Sequence, residues 1–275
     1  MSTSNYPQLA GSHLNPPPQY EEDSHKKPSP STYSQQQPLI SNQGVSYVTE
    51  DDFMYGPTLS QADGEIRRNF LKKVYAILTA QILGTALFSF MFYSVNSVQL
   101  FLFRHTWVVY LSCFAALLNI MVLFWKRHSY PTNFILLSSF TFLESISIGT
   151  IVSFYKSTVV LQALFLTLGI FLALTLFVSQ TRYDFSSYVP YLGAGLWVLI
   201  ILSFIQIFFP FSSGFQLAIA IGSAFLFSAY IVVDTQMIMN RLSPEEYIVA
   251  SVELYLDVIN LFVALLRIFG SSDRD

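Results

Sequence analysis

Two aspartates stand inside long apolar stretches near the end of the chain. Asp234 falls within the run 226–239, and Asp257 falls within the run 247–269. A carboxylate at the centre of a bilayer costs about 2.5–3.5 kcal/mol on insertion scales. Two such costs on consecutive segments indicate a function, and carboxyl groups in this setting handle protons or cations.

The two aspartates are expected to lie close together within the membrane. Asp234 comes seven residues before Arg241, which places it roughly 10 Å below the end of its segment at about 1.5 Å per residue. Asp257 follows the same short connection. Consecutive helices joined by a short loop are usually neighbours. Both carboxyl groups should therefore reach comparable depth from one side and face each other.

Such a pair has a definite chemistry. Two adjacent carboxyl groups in a poor dielectric cannot both ionise cheaply, so the pair is expected to share a proton and titrate as a unit. Loss of that proton would open a cation path or create a Ca²⁺ site from Asp234 and Asp257. The alternative is that the acidic residues are neutral and hydrogen-bonded, and merely fix the register of the helices.

Further polar residues are predicted to support the pair. Glu253, Asp257 and Asn260 follow one another at i, i+4 and i+7, which is one face of a helix. Glu144, near the middle of the third apolar segment, also needs a partner or a wet cavity. Glu253 lies near a helix start and is expected to be exposed. The candidate basic partners are Arg127, Arg241 and Arg267, and the candidate hydrogen-bonding groups are Asn119 and Gln81.

The composition indicates a membrane protein. Hydrophobic residues make up 53% of the chain and charged residues 11%, whereas soluble domains carry about 25% charged residues. A helix needs roughly 20 apolar residues to cross a bilayer. Seven such spans are predicted near residues 70–93, 106–125, 134–154, 159–179, 188–209, 215–239 and 247–269. The last span either crosses fully or dips in and returns, because charged residues lie in and beside it.

The predicted fold class is an all-α integral membrane protein, a seven-helix bundle over residues 61–275. Small residues recur four apart in the sixth span, which lets helices approach closely in lipid. One row is Ala220, Ala224 and Ser228, and a second is Ala218 and Gly222. Both rows are predicted to pack against other helices.

Basic residues in the short flanks predict the orientation. They concentrate before the first span and after the second, fourth and sixth spans, so the N-terminus is expected in the cytosol. With seven crossings the C-terminus lies on the other side, whereas a re-entrant last span would return it to the cytosol. The flanking residues are Arg67, Arg68, Lys72, Lys73, Lys126, Arg127, Arg182 and Arg241.

Residues 1–60 differ from the rest and are rich in Pro, Ser, Gln, Asn and Tyr. Such a segment buries too little apolar surface to fold and is expected to be a disordered cytosolic tail. Within it, Pro17, Pro18 and Tyr20 form a Pro-Pro-x-Tyr motif of the kind that WW domains bind as a polyproline II helix. A WW-domain ubiquitin ligase is a predicted partner, and an ordinary Pro-rich linker is the alternative.

Several motifs resemble the transmembrane Bax-inhibitor-motif family. Residues 226–236 and 253–262, with 265–267, are similar to its sixth-span and last-span signatures. Residues 66–70 and 73–75 with Gln81 resemble the start of the first span in the Lifeguard branch. Residues 131–133, 140–141 and 144–145 are similar to the third-span region. The Pro-rich tail resembles that of the fungal members.

The resemblance implies a helical bundle with the last helix at its centre. It further implies Ca²⁺ leak from the endoplasmic reticulum or related stores, with the vacuole and mitochondrion as other locations. Protection from cell death, contact with cell-death regulators and a link to the unfolded-protein response belong to the same expectation. Asp234 and Asp257 correspond to the two aspartates that act as the family's pH sensor. Arg127 is the candidate for the second-span arginine that partners these aspartates in some members.

Other functions compete with an ion path. An intramembrane aspartyl protease also needs two aspartates, but Gly-x-Gly-Asp and Pro-Ala-Leu motifs are absent from the sequence. A non-conducting scaffold that restrains cell-death factors fits the same pattern. A secondary transporter would show paired Gly- or Pro-broken helices, and only the fifth span has a close glycine pair. We expect no enzyme activity, no bound cofactor and no nucleic-acid partner, with the bilayer, Ca²⁺ and protons as the partners.

Overall fold

The computed structural model describes residues 38–41, 44–47 and 64–272. In the first of its two compact units, strands β1 (Pro38–Ser41) and β2 (Gly44–Tyr47) form an antiparallel hairpin in which Pro38 pairs with Tyr47. The sequence had suggested no secondary structure there. The remainder of the predicted disordered tail, including Pro17, Pro18 and Tyr20, lies outside the described residues.

Residues 64–272 form eight α-helices and one 3₁₀ turn. Seven of these helices are long and apolar enough to cross a membrane, which confirms the predicted number. The helices are α1 Gly64–Ser94, α2 Asn96–Arg104, α3 Thr106–Trp125, α4 Thr132–Val152, α5 Ser157–Gln180, α6 Val189–Phe208, α7 Ser213–Asn240 and α8 Tyr247–Ser272, and the 3₁₀ turn Ser186–Tyr188 precedes α6.

The largest differences from the predicted spans lie at the start of α1 and in the connection near residue 96. Helix α1 begins at residue 64, several residues before the predicted span. Its first turns carry Arg67 and Arg68 and therefore lie outside the apolar part from which the span was predicted. Hydropathy marks where lipid begins and does not mark where a helix begins. The connection near residue 96 contains the additional helix α2, whose nine residues are too few to cross a bilayer.

Helix α8 is the core of the bundle, as the resemblance implies. Its 26 residues form one continuous helix, about 39 Å long at 1.5 Å per residue, so the dip-and-return alternative is wrong. In its most apolar 18 residues, 72% are buried, against 39% in the next most buried span. Helices α1, α4, α5 and α7 all contact it. Leu254, Tyr255 and Leu261 are completely buried there.

The two predicted small-residue rows of α7 differ in whether they pack against another helix. Ala220 is buried, and Ala224 and Ser228 are half-buried, so the first row packs as predicted. Ala218 and Gly222 are exposed, and a Cβ at Gly222 would meet no atom within 4 Å. The prediction for the second row is wrong, because that side of α7 does not face another helix.

Two ends of the bundle can be distinguished by their connections. The basic end carries the start of α1 and the connections 126–131, 181–188 and 241–246. The opposite end carries the connections 153–156 and 209–212 and the end of α8. This division positions the site described next.

Candidate functional site

The carboxyl groups of Asp234 and Asp257 meet inside the bundle. Asp234 extends from α7 and Asp257 from α8, and the two carboxyl groups are close enough to interact as a pair. Asp257 is only 6% exposed and Asp234 is half-buried. The face-to-face arrangement predicted from the sequence is therefore present in the structure.

The contact constrains the protons of this pair. Asp257 Oδ2 is fully buried, and none of the described residues offers it a well-formed hydrogen bond. Two charged carboxylates at this separation would repel strongly, whereas one proton between them makes a hydrogen bond. The pair can hold one shared proton and one negative charge, or release the proton and carry two charges.

Two further side chains surround the pair. Glu253, one helical turn before Asp257, is half-buried and interacts electrostatically with both aspartates. The expectation that it is exposed is wrong, because α8 is surrounded by other helices along this part of its length. Tyr230, one turn before Asp234, also interacts with both carboxyl groups. The i and i+4 spacing identifies Glu253, and the same spacing relates Tyr230 to Asp234.

The structure places Glu144 and Asn260 apart from the carboxyl pair. Glu144 of α4 is half-buried and interacts with Tyr255. Asn260 is one turn beyond Asp257 and donates from Nδ2 to Leu256 O at 2.8 Å. It lines a cavity that opens toward the opposite end. Glu144 is therefore separate from the pair, and Asn260 lies between the pair and that cavity.

Arg127 does not pair with the aspartates. Its Nη2 lies 3.4 Å from Glu246 Oε1, and its backbone carbonyl accepts a 2.9 Å hydrogen bond from Asn133 Nδ2. Arg241 forms a 2.8 Å ion pair with Asp184. Within the described residues no ion pair reaches Asp234 or Asp257. The negative charge of the pair is thus not neutralised by a basic side chain of that part of the chain.

The connection 181–188 is fastened to the end of α7 just above the pair. Gln236, two residues after Asp234, donates to Tyr183 O and accepts from Phe185 N–H at 2.6 Å. The Ser186 N–H donates to Asp184 at 3.0 Å. This hydrogen bond, followed by that of the Ser186 hydroxyl and by the charge of Arg241, holds the pKa of Asp184 below its ordinary value. These contacts hold the connection 181–188 against the end of α7.

Several buried polar groups were not singled out from the sequence. The hydroxyl groups of Tyr75, Thr175 and Thr235 approach one another from α1, α5 and α7. All three oxygens are buried without a well-formed hydrogen bond. Tyr255 of α8 bonds Thr85 of α1 at 2.8 Å. No sequence motif marks these contacts, because each joins helices that are distant along the chain.

The two predicted amide groups form hydrogen bonds elsewhere. Gln81 Nε2 donates to Thr141 Oγ1 at 3.3 Å, and Asn119 Nδ2 donates to Ser139 Oγ at 2.6 Å. Both bonds join neighbouring helices. Gln81 and Asn119 therefore link helices and lie outside the carboxyl pair.

Acidic groups around the pair are too few for a tight metal site. Among the described residues, no group of three or more His, Cys, Asp or Glu side chains is arranged to hold a metal ion. Ca²⁺ in a tight site takes six to eight oxygen ligands. Asp234 and Asp257 can attract a cation or exchange a proton, but they offer too few ligands to hold a metal ion tightly.

Comparisons with known proteins agree over the whole bundle. The family model for "Inhibitor of apoptosis-promoting Bax1" matches residues 67–274. Bax inhibitor 1 of Schizosaccharomyces pombe is 40% identical over 220 residues, which cover 80% of this chain and 83% of that protein. Protein lifeguard 4 of Mus musculus is 39% identical, covering 82% of this chain and 94% of that protein. The Golgi anti-apoptotic protein of Vaccinia virus (strain Lister) is 38% identical with the same two coverages.

Proposed function

We propose, because this chain belongs to the family of Bax inhibitors and Lifeguard proteins, that it suppresses cell death as a pH-sensitive Ca²⁺ leak of an intracellular membrane. The anti-apoptotic names of its relatives support the first part of this proposal. The endoplasmic reticulum is the proposed membrane, and the unfolded-protein response is the proposed setting. The seven spanning helices are consistent with a path through the bilayer.

The carboxyl pair is the observation that carries the ion-path proposal. In this proposal Asp234 and Asp257 join α7 to the central helix while they share a proton. Once that proton leaves, two negative charges repel each other and Glu253 adds a third. The repulsion separates α7 from α8, and the exposed charges attract Ca²⁺. Protonation reverses both effects.

The surroundings of the pair support this direction of gating. Toward the basic end, Gln236 and the Asp184–Arg241 ion pair hold the connection 181–188 over the aspartates. Toward the opposite end, cavities reach as far as Asn260. In this proposal the described state is the closed one, and the barrier lies at the carboxyl pair. Ca²⁺ passes the pair in the proposed open state and is not stored there.

Flux measurements on pure protein test this proposal. Protein reconstituted into liposomes loaded with a Ca²⁺ indicator should admit Ca²⁺ faster than empty liposomes at a pH near 8. Glu65→Gln is a matched control, since Glu65 is an exposed carboxylate at the start of α1, and it should conduct like the wild type. Flux no greater than that of empty liposomes would refute the leak.

A non-conducting scaffold that restrains cell-death factors is the second candidate. It is favoured by the relatives' names, which describe protection from cell death and no transport. A scaffold predicts that Asp257→Asn, properly folded, protects cells as well as the wild type does. The leak predicts that this variant loses protection together with flux.

A further proposal concerns the tail. Pro17, Pro18 and Tyr20 are proposed to bind a WW-domain ubiquitin ligase that controls the amount of the protein in the membrane. The motif sequence is the support, and the residues themselves lie outside the described ranges. Tyr20→Ala should lower ubiquitylation and lengthen the half-life of the protein in cells, with Tyr33→Ala as the control. Unchanged ubiquitylation and half-life in Tyr20→Ala would end this proposal.

A further inference from the structure

Two adjoining cavities lie between α6, α7 and α8 at the opposite end of the bundle. The outer cavity has a volume of about 630 Å³ and is bordered by the ends of α6 and α8 and the start of α7. The inner cavity, of about 310 Å³, extends toward the middle of the bilayer as far as Asn260 and Phe227. Both are lined by Ser203, Ile219 and Arg267, so they form one continuous groove.

The lining of this groove changes from polar to apolar with depth. Polar side chains border the outer cavity, including Gln206, Ser213 and Gln216. Apolar side chains dominate the inner cavity, including Leu199 and Val263. A phospholipid has the same order, with a polar headgroup at the membrane surface and apolar acyl chains toward the midplane.

Arg267 marks the boundary between the two cavities. It is the sole charged residue lining either one, and its side chain is exposed and pairs with no acidic group among the described residues. It lies five residues before the end of α8, about 7.5 Å along the axis. A guanidinium at this depth binds a phosphate through paired hydrogen bonds.

The groove is accessible from the side. Helix α6 has no buried residue and packs mainly on α7, and its apolar side chains, such as Trp197 and Phe204, are largely exposed. A lipid can therefore enter laterally between α6 and α8. An unfilled apolar cavity would forfeit dispersion contacts along its lining, and an acyl chain restores them.

We propose that this groove binds one anionic phospholipid, with its phosphate at Arg267 and an acyl chain in the inner cavity. The apolar inner cavity favours a lipid over free inorganic phosphate, which would occupy the outer cavity alone. The site is distinct from the carboxyl pair and does not depend on whether the protein conducts Ca²⁺. A bound chain would occupy the space one helical turn from Asp257.

Native mass spectrometry of the full-length protein released from nanodiscs tests the proposal. The nanodiscs contain phosphatidylcholine with a minor fraction of phosphatidylserine. Wild-type protein should retain one phosphatidylserine molecule. Arg267→Gln should reduce this retention about tenfold, which is equivalent to about 1.4 kcal/mol, because it removes the charge that binds the phosphate. Arg267→Lys, which keeps the charge, should retain more lipid than Arg267→Gln.

A second pair of variants tests the groove without altering its charge. Ser203→Trp fills the junction of the two cavities and should also displace the lipid, whereas Val198→Trp adds the same bulk to a part of α6 that lines neither cavity. Arg104→Gln is the control for Arg267→Gln, since it also removes a positive charge at this end of the bundle. Retention by Arg267→Gln and Ser203→Trp equal to that of the wild type would overturn the proposal. Displacement of the retained lipid by inorganic phosphate, with no loss in Ser203→Trp, would overturn it in favour of an ion site.

Discussion

At the scale of single residues, Asp257 has an environment that few structural carboxyl groups share. It is buried at membrane depth, and its contact is another acid, Asp234, with Glu253 nearby. A buried carboxylate whose role is purely structural is normally paired with a basic side chain or with hydrogen-bond donors. In the proposed mechanism this contact is stabilising only while the two carboxyl groups share a proton, so the proton controls the switch.

The exposed Asp184 is predicted to have no part in the pH response. Its pKa is lowered by the Ser186 N–H, so its favourable contacts are complete above the ordinary carboxyl pKa of about 3.9 and are lost only as the pH falls through the lower folded value. A nitroxide label at Ser187→Cys, in a Cys113→Ala background, should therefore show equal mobility at about pH 5 and about pH 8. Electron paramagnetic resonance spectra measure this.

Two variants complete the test of the connection 181–188. Arg241→Gln should raise the mobility of the label at both pH values, because it removes the ion pair with Asp184. Arg127→Gln changes a different connection and should leave the label unaffected. A wild-type label that becomes mobile between these two pH values would contradict this prediction, because the connection 181–188 would then take part in the pH response.

At the scale of elements, the central position of α8 depends on close approach at its end. Gly270 faces the ring of Tyr155 in the connection between α4 and α5, where a methyl group would overlap the ring. Gly149 of α4 similarly allows Phe92 of α1 to approach. In a membrane, where helix association relies on packing, such contacts hold the helices of the bundle together.

Gly270→Ala is predicted to destabilise the bundle. The added methyl group would displace Tyr155, and overpacking of this kind costs about 1–3 kcal/mol. The thermal unfolding midpoint in detergent should fall, and Tyr155→Leu in the same chain should restore part of the loss. Gly222→Ala, whose methyl group meets no atom, should unfold like the wild type. An unchanged midpoint in Gly270→Ala would show that the ring moves aside at no cost.

The spans and the carboxyl pair could be predicted from the sequence because their signals are local. Apolar length identifies each spanning helix, and the short connection 241–246 makes α7 and α8 neighbours. The burial of Glu253 and the outward direction of Gly222 could not be predicted, because both depend on which helices lie opposite. The pairing of Arg127 with Glu246 likewise depends on the position of one connection over another.

At the scale of the whole molecule, the two ends of the bundle differ. Ion pairs and hydrogen bonds between connections close the basic end, whereas cavities enter the opposite end. The excess of Lys and Arg at the closed end predicts that this end faces the cytosol. Ca²⁺ leaving a store would then enter through the cavities and meet the closed pair near the cytosolic surface.

This orientation can be measured with single cysteines. In a Cys113→Ala background and sealed microsomes, a membrane-impermeant maleimide should label Ser129→Cys and Ser187→Cys at the basic end without detergent. Ser212→Cys, at the opposite end, should react only after the membrane is permeabilised. Labelling in the reverse order would place the cavities on the cytosolic side and reverse the proposed direction of the path.

The pH dependence of Ca²⁺ flux, measured in liposomes for the wild type, Asp234→Asn and Asp257→Asn, tests the central claim most directly. Wild-type flux should rise between about pH 5 and about pH 8 as the pair loses its shared proton. Either Asn variant keeps a neutral hydrogen-bonding group in place and should stay at the low wild-type flux throughout. A wild-type rise that persists unchanged in both variants would contradict the account, because the switch would then lie elsewhere.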